Sequence, residues 1–192
     1  MKNLLFTLAL LVSFSSFGQT SKIYDYKYVD SGVIMTTKIS DSVTYYDTGQ
    51  IKEIVGVLDG NKQGLEIGFY KSGKLEYHIY YIDNVIQGKG VLYYENGKIK
   101  REDNFKNGKQ HGITKIYNEI GLNYENTYNM GVIQGYSKYY FSKTGQLQSE
   151  GNIKNGKRIG TWKVYDEEGN IIFENDGSYL DKAKAEIDAN KP

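Results

Sequence analysis

A glycine recurs every 24 residues, at Gly49, Gly73, Gly97, Gly121, Gly145 and Gly169, with no slip. A fixed period of this size confines a chain to repeat architectures, in which one supersecondary unit is copied and stacked on itself. Other positions keep the same step. An aromatic stands four residues before each glycine at Tyr45, Phe69, Tyr93, Tyr117 and Tyr165, with Tyr140 one place out of phase. A second row runs Gly60, Asn84, Gly108, Gly131 and Gly156, and a third, four residues later, runs Gly64, Gly88, Gly112, Gly135 and Gly160. The fourth unit loses one residue between Gly121 and Gly131, and the fifth gains one between Tyr140 and Gly145. Similarity by chance does not restore its own phase.

The second row carries Asp59-Gly60, Asn107-Gly108 and Asn155-Gly156, the dipeptides of two-residue hairpin turns whose central residues need positive φ. Asn84 takes the glycine place once, and Asn tolerates that conformation best after Gly. The segments between turns have strand length. Each unit is therefore a β-hairpin, and the fold expected is all-β: an elongated, twisted antiparallel sheet of about six 24-residue hairpins. The 19 Tyr suit a pleated surface, and the periodic glycines, part of 22 Gly against 1 Pro, are accounted for as turn geometry. Val57, Tyr81, Phe105, Tyr128 and Ile153 recur on the intervening strands and are expected to fill the gaps between the aromatics of neighbouring units.

The ends depart from the pattern. Residues 1–18 combine Lys2, an apolar run from Leu4 to Val12, and the small residues Ser16 and Gly18, which together predict a signal peptide cleaved after Gly18. The run is too short to span a membrane as a helix, so the mature chain is expected to have no transmembrane segment. Residues 19–42 hold a shortened unit, expected as an N-terminal cap, and 43–176 hold the repeats. Residues 177–192 predict a capping helix: Ser178 and Asp181 resemble a capping box, and Leu180, Ala183 and Ile187 share a face. Such a helix is expected to cover the edge of the last strand. Without cysteine there are no disulfides and no thiolate chemistry. Loss of Lys2 with the signal leaves 23 basic and 23 acidic residues, so no nucleic acid or anionic membrane is indicated as a partner.

The segments 149–170 (SEGNIKNGKRIGTWKVYDEEGN), 93–100 (YYENGKIK) and 104–112 (NFKNGKQHG) resemble the MORN-repeat variant proteins of bacteria. Gly160-Thr161-Trp162-Lys163-Val164-Tyr165 matches the Gly-x-Trp-x-x-Tyr core of that family in full, and Gly112–Tyr117 and Gly135–Tyr140 match it without the Trp. The resemblance covers residues 40–175. It implies a scaffold for protein contacts or membrane association. Many bacterial members carry an antitoxin label, but an exported chain fits that role only if its toxin is exported too.

Catalytic chemistry finds little footing. His78 and His111 occupy different repeat positions, and no nucleophile elbow or phosphate loop occurs. No catalytic, cofactor-binding or metal-binding residue is expected. Glu102, Glu125, Glu150 and Glu174 hold equivalent positions and are expected as a solvated row, cross-paired with cations such as Lys100 and Arg101. The aromatics remain. Adjacent rings such as Tyr45-Tyr46, Phe69-Tyr70 and Tyr93-Tyr94 point to opposite faces, so some form an exposed line. Tyr46, Tyr70, Tyr94, Tyr139 and Trp162 are the candidate partner-binding residues. The sequence thus points to a non-enzymatic, exported, periplasmic or secreted scaffold that binds a protein through a sheet face or edge. The alternative is a carbohydrate or cell-envelope binding module that uses the aromatic line.

Overall fold

The structure is a computed structural model. It describes residues 23–30 and 33–178, with side chains described over 42–178. The signal peptide expected at 1–18, and the expected C-terminal helix beyond Ser178, lie outside the described residues.

One antiparallel sheet holds every described strand: β1 (Ile23–Asp30), β2 (Val33–Tyr45), β3 (Ile51–Leu58), β4 (Asn61–Phe69), β5 (Leu75–Ile82), β6 (Val85–Tyr93), β7 (Ile99–Lys106), β8 (Lys109–Gln110), β9 (Gly112–Tyr117), β10 (Leu122–Asn129), β11 (Val132–Tyr140), β12 (Leu147–Lys154), β13 (Lys157–Tyr165) and β14 (Ile171–Asp176). Spatial order follows chain order from β1 to β14, with β8 set aside on β7. The turns take the expected mirror-image form. Asn107 and Gly108 have φ of 51° and 75°, and even Met130 is held at 49°.

The self-repairing slip in the repeat falls entirely in turns. In a regular unit the Tyr94 N–H donates to the Lys98 carbonyl. In the fourth, Asn118 donates to Gly121, one residue nearer. In the fifth, Phe141 donates to Gln146, one residue farther. Strand register is untouched, so every face keeps its residues.

The third glycine row is not turn geometry. Val55 pairs with Glu66 and Val57 with Lys62, so Gly56 alone opposes Gln63, Gly64 and Leu65. The same three-against-one bulge recurs opposite Ile79, Thr127 and Gly151, and it separates β8 from β9 opposite Asn104. Gly64 reaches φ 85° there, a conformation that favours glycine. Bulges bend a strand and tighten its twist. Placed once per unit, they bend each hairpin at the same level.

The face toward which most buried residues point is called inner. Its central row runs Val55, Glu66, Ile79, Gly90, Asp103, Thr114, Asn126, Ser137, Gly151 and Trp162, and all but Ile79 are buried. Rings lie flat over its glycines. A Cβ at Gly68 would sit 2.1 Å from Tyr77 Cε1, and one at Gly151 2.5 Å from Trp162 Cδ2. These glycines are platforms for aromatic rings rather than turn residues. Register also corrects the expected aromatic packing. Tyr81, Phe105, Tyr128 and Ile153, with Val57, stand on the inner face, while Tyr93 and its equivalents stand on the outer one. The gaps between outer aromatics are filled by Leu75, Ile99, Leu122 and Leu147, which pair with Phe69, Tyr93, Tyr117 and Tyr140.

Candidate functional site

One row of side chains crosses the outer face from β2 to β14. Strand pairing links Val43 to Ile54, Ile54 to Ile67, Ile67 to His78, His78 to Val91 and Val91 to Glu102. From there it continues through Lys115, Glu125, Lys138, Glu150 and Lys163 to Glu174. The row is apolar up to Val91, apart from His78, and then alternates in charge without a break. Opposite charges directly across a pleat are the favourable arrangement. Lys115 Nζ lies 3.5 Å from Glu125 and Lys163 Nζ 3.9 Å from Glu174. Lys89, from the adjoining row, also pairs with Glu102.

The cations expected opposite these glutamates, Lys100 and Arg101, stand elsewhere. Arg101 stands on the inner face, its Nε 2.5 Å and Nη2 3.0 Å from the Asp103 carboxylate. Lys100 lies over the Tyr94 ring, 5.5 Å from its centroid. The residues set opposite the glutamates, Lys115, Lys138 and Lys163, each precede a tyrosine by two residues, a recurrence legible in the sequence.

Those tyrosines complete the ladder. Tyr117 donates its hydroxyl to Glu102 at 2.6 Å and Tyr165 donates to Glu150 at 2.7 Å, each bridging 15 residues. Burial and the Glu102 bond push the Tyr117 phenol up to about 12. The Glu150 bond does the same for Tyr165. Bonds from Lys89 and Tyr117 hold the Glu102 carboxyl below its usual range. Fifteen residues after Ile54 the aromatic is Phe69, which has no hydroxyl to leave unsatisfied. At the boundary stands His78, its pKa lowered by burial and then by Lys89, with the Tyr93 ring 5.8 Å away.

The five candidate aromatics do not form one exposed line. Tyr46, Tyr70 and Tyr94 share a row at the turn end and are partly buried. Their hydroxyls donate to the carbonyls of Phe69, Tyr93 and Tyr117 at 2.7, 2.6 and 2.8 Å, tying each unit to the next. Asn118 does the same to Ser142 at 2.9 Å. Lys52 and Lys71 lie 5.9 and 5.7 Å from the Tyr46 centroid. Phe141 takes this row's place in its unit, and Tyr139 falls two residues short of it. It stands on the inner face, its ring 6.2 Å from both Tyr124 and Trp162. Trp162, in the middle of β13, is 0% exposed. Its Nε1 donates to the Asn152 carbonyl at 2.9 Å, Arg158 stacks on it, and Gly177 folds against it.

The inner face also holds a cleft of about 180 Å³ lined by Tyr77, Ile79, Gly90, Leu92, Arg101 and Phe105. Farther along, Asn126 Oδ1 and Ser137 Oγ are buried without a partner. His78 and His111 lie apart, on the outer row and at a bulge. Among the described residues no three His, Asp or Glu side chains gather as a metal site, and no helix is long and apolar enough to cross a membrane.

The MORN repeat variant family model matches residues 62–83, 86–107 and 158–175, the hairpins β4–β5, β6–β7 and β13–β14. These three hairpins are similar to MORN-variant repeats. No curated protein matches it. A solved structure with some likeness is the crystal structure of accessory secretory protein 1, 2 and 3 in Streptococcus pneumoniae. It is 15% identical over 65% of this chain and 18% of that chain, with a TM-score of 0.27. The chain thus spans under a fifth of that relative's length.

Proposed function

We propose, taking the MORN-variant repeat as premise, that this protein is a non-enzymatic, exported scaffold that holds a protein partner on the outer face of its sheet. The observation that carries the reading is the apolar half of the outer face. Val43, Tyr45 and Ile99 are 37%, 59% and 38% exposed there, alongside Ile54, Ile67 and Phe69. Contiguous exposed apolar surface on a soluble sheet marks a contact site. The ionic half of the same face is satisfied by its own charges and adds little affinity. Burial of Trp162 removes the ring that the glycan-binding alternative most needed.

The test is capture of envelope proteins from the source cell by the immobilised protein, beside a Tyr45→Asp, Ile99→Asp variant. Both substitutions fall on exposed positions, so folding should survive. One protein recovered in near-equal amount, and lost with the variant, is the expected result. Equal recovery by both would refute an outer-face site.

A further inference from the structure

The sheet ends on half a unit. Every ladder carboxylate on an interior strand has a strand on both sides, and Glu102 and Glu150 each accept a tyrosine hydroxyl. Glu174, on β14, has only Lys163 on one side, at 3.9 Å, and its side chain is 46% exposed. No described strand pairs with the other side of β14. Ile171 and Ile172 beside it are 49% and 64% exposed. Within the described residues the chain does not continue along that side. Gly177 turns against Trp162 and the Arg158 Cβ, toward the inner face.

The repeat itself shows what fits there. In the three interior strands that carry a glutamate at the place of Glu174, the following neighbour sets a lysine opposite it. Two residues later comes a tyrosine: Lys115 and Tyr117 against Glu102, Lys138 and Tyr140 against Glu125, Lys163 and Tyr165 against Glu150. We propose that β14 receives an extended antiparallel strand from a partner protein, one that places a Lys-x-Tyr segment with its lysine opposite Glu174. This edge pairing rests on the scaffold reading and adds a second contact to it. Backbone bonds supply the attraction. Charge selects the register, as like charges opposite each other are unfavourable. The incoming tyrosine hydroxyl would reach Glu174 as Tyr117 reaches Glu102, and the strand would cover the two exposed isoleucines.

The experiment uses a fluorescein-labelled, end-capped peptide of sequence GITKIYNE, which is residues 112–119, and its counterpart GITEIYNE. Each is titrated with the purified protein and followed by anisotropy. The lysine peptide should bind the native protein about tenfold more tightly than the glutamate peptide. Glu174→Lys should reverse that preference, and Glu174→Gln, which keeps size without charge, should abolish it. No rise in anisotropy with either peptide, or an unchanged preference in Glu174→Lys, overturns the proposal. So does self-association by sedimentation that Glu174→Lys removes, because the edge would then belong to a second copy. Envelope capture that persists in Glu174→Lys while both peptides fail would leave the scaffold reading standing and this edge alone refuted. Peptide binding with failed capture would do the reverse.

Discussion

The two halves of the outer row solve one problem by different physics. Up to Val91 the row is held by apolar contact; from Glu102 onward it is held by alternating charge. Backbone, period and pairing are the same in both. Side chains therefore set the properties of each half, while the repeat only sets where they stand. The apolar half keeps surface that another protein can cover. The ionic half sets each charge from Lys115 to Lys163 between two opposite ones, and among its described residues only Glu174, its terminus, has a strand on one side alone.

The largest effect should come from the inner face beneath the ionic half. Trp162→Ala removes a fully buried ring, and urea unfolding should show a loss of about 3–5 kcal/mol. A smaller loss would mean that the ladder above it carries more of the load than its exposure suggests. Next, Val91→Ala in the apolar half, where the side chain is 7% exposed, should cost about 2 kcal/mol. Reversal of one charge, Lys138→Glu, sets three carboxylates in line and should cost about 1 kcal/mol. Strong salt separates these two. In 1 M NaCl the cost of Lys138→Glu should shrink while that of Val91→Ala stays, because screening acts on charge alone. If both shift alike, the two halves do not differ as described.

Acid should part the halves as well. Folding lowers the His78 pKa, so the neutral ring is the form the fold accepts, and stability falls as pH drops below the ordinary value of 6.5. The Glu102 carboxyl is also lowered. Its contribution is present above the ordinary 4.5 and is lost as pH falls through its own lower value. Amide exchange at pH 5.5 should therefore quicken in β5 and β6 before β9 and β10, and His78→Leu should remove the difference. The smallest effect is Tyr117→Phe, about 0.5 kcal/mol for one part-exposed hydroxyl bond.

Much of this was legible in the sequence. The 24-residue step gave the hairpins, and Asn-Gly gave the turn type, since few dipeptides accept two positive φ angles in succession. The faces were harder to read. A bulge of two extra residues leaves alternation in phase on either side of it, but hides which residues stand opposite each other. Proximity in sequence thus suggests Arg101 for the glutamate row, where the register sets Lys115 instead. Trp162 stands among the aromatics expected in an exposed line, because a single sheet offers no second layer to bury it. The structure buries it with the sheet's own Gly151 beneath and Gly177 against it, contacts that no local pattern encodes. The turn-end tyrosines draw attention in the sequence by their rings, whereas the fold uses their hydroxyls.

Those hydroxyls have a mechanical consequence. Tension applied across the strands would peel the sheet one strand at a time, loading each backbone ladder along its hydrogen bonds. The Tyr46, Tyr70 and Tyr94 bonds skip a strand and join alternate ones, so two neighbouring strands must yield together. A force–extension trace should accordingly rise and drop in steps of whole hairpins, each releasing about 80 Å of chain for 24 residues. Where Asn118 replaces the ring, the shorter side chain should make the step that gives way first.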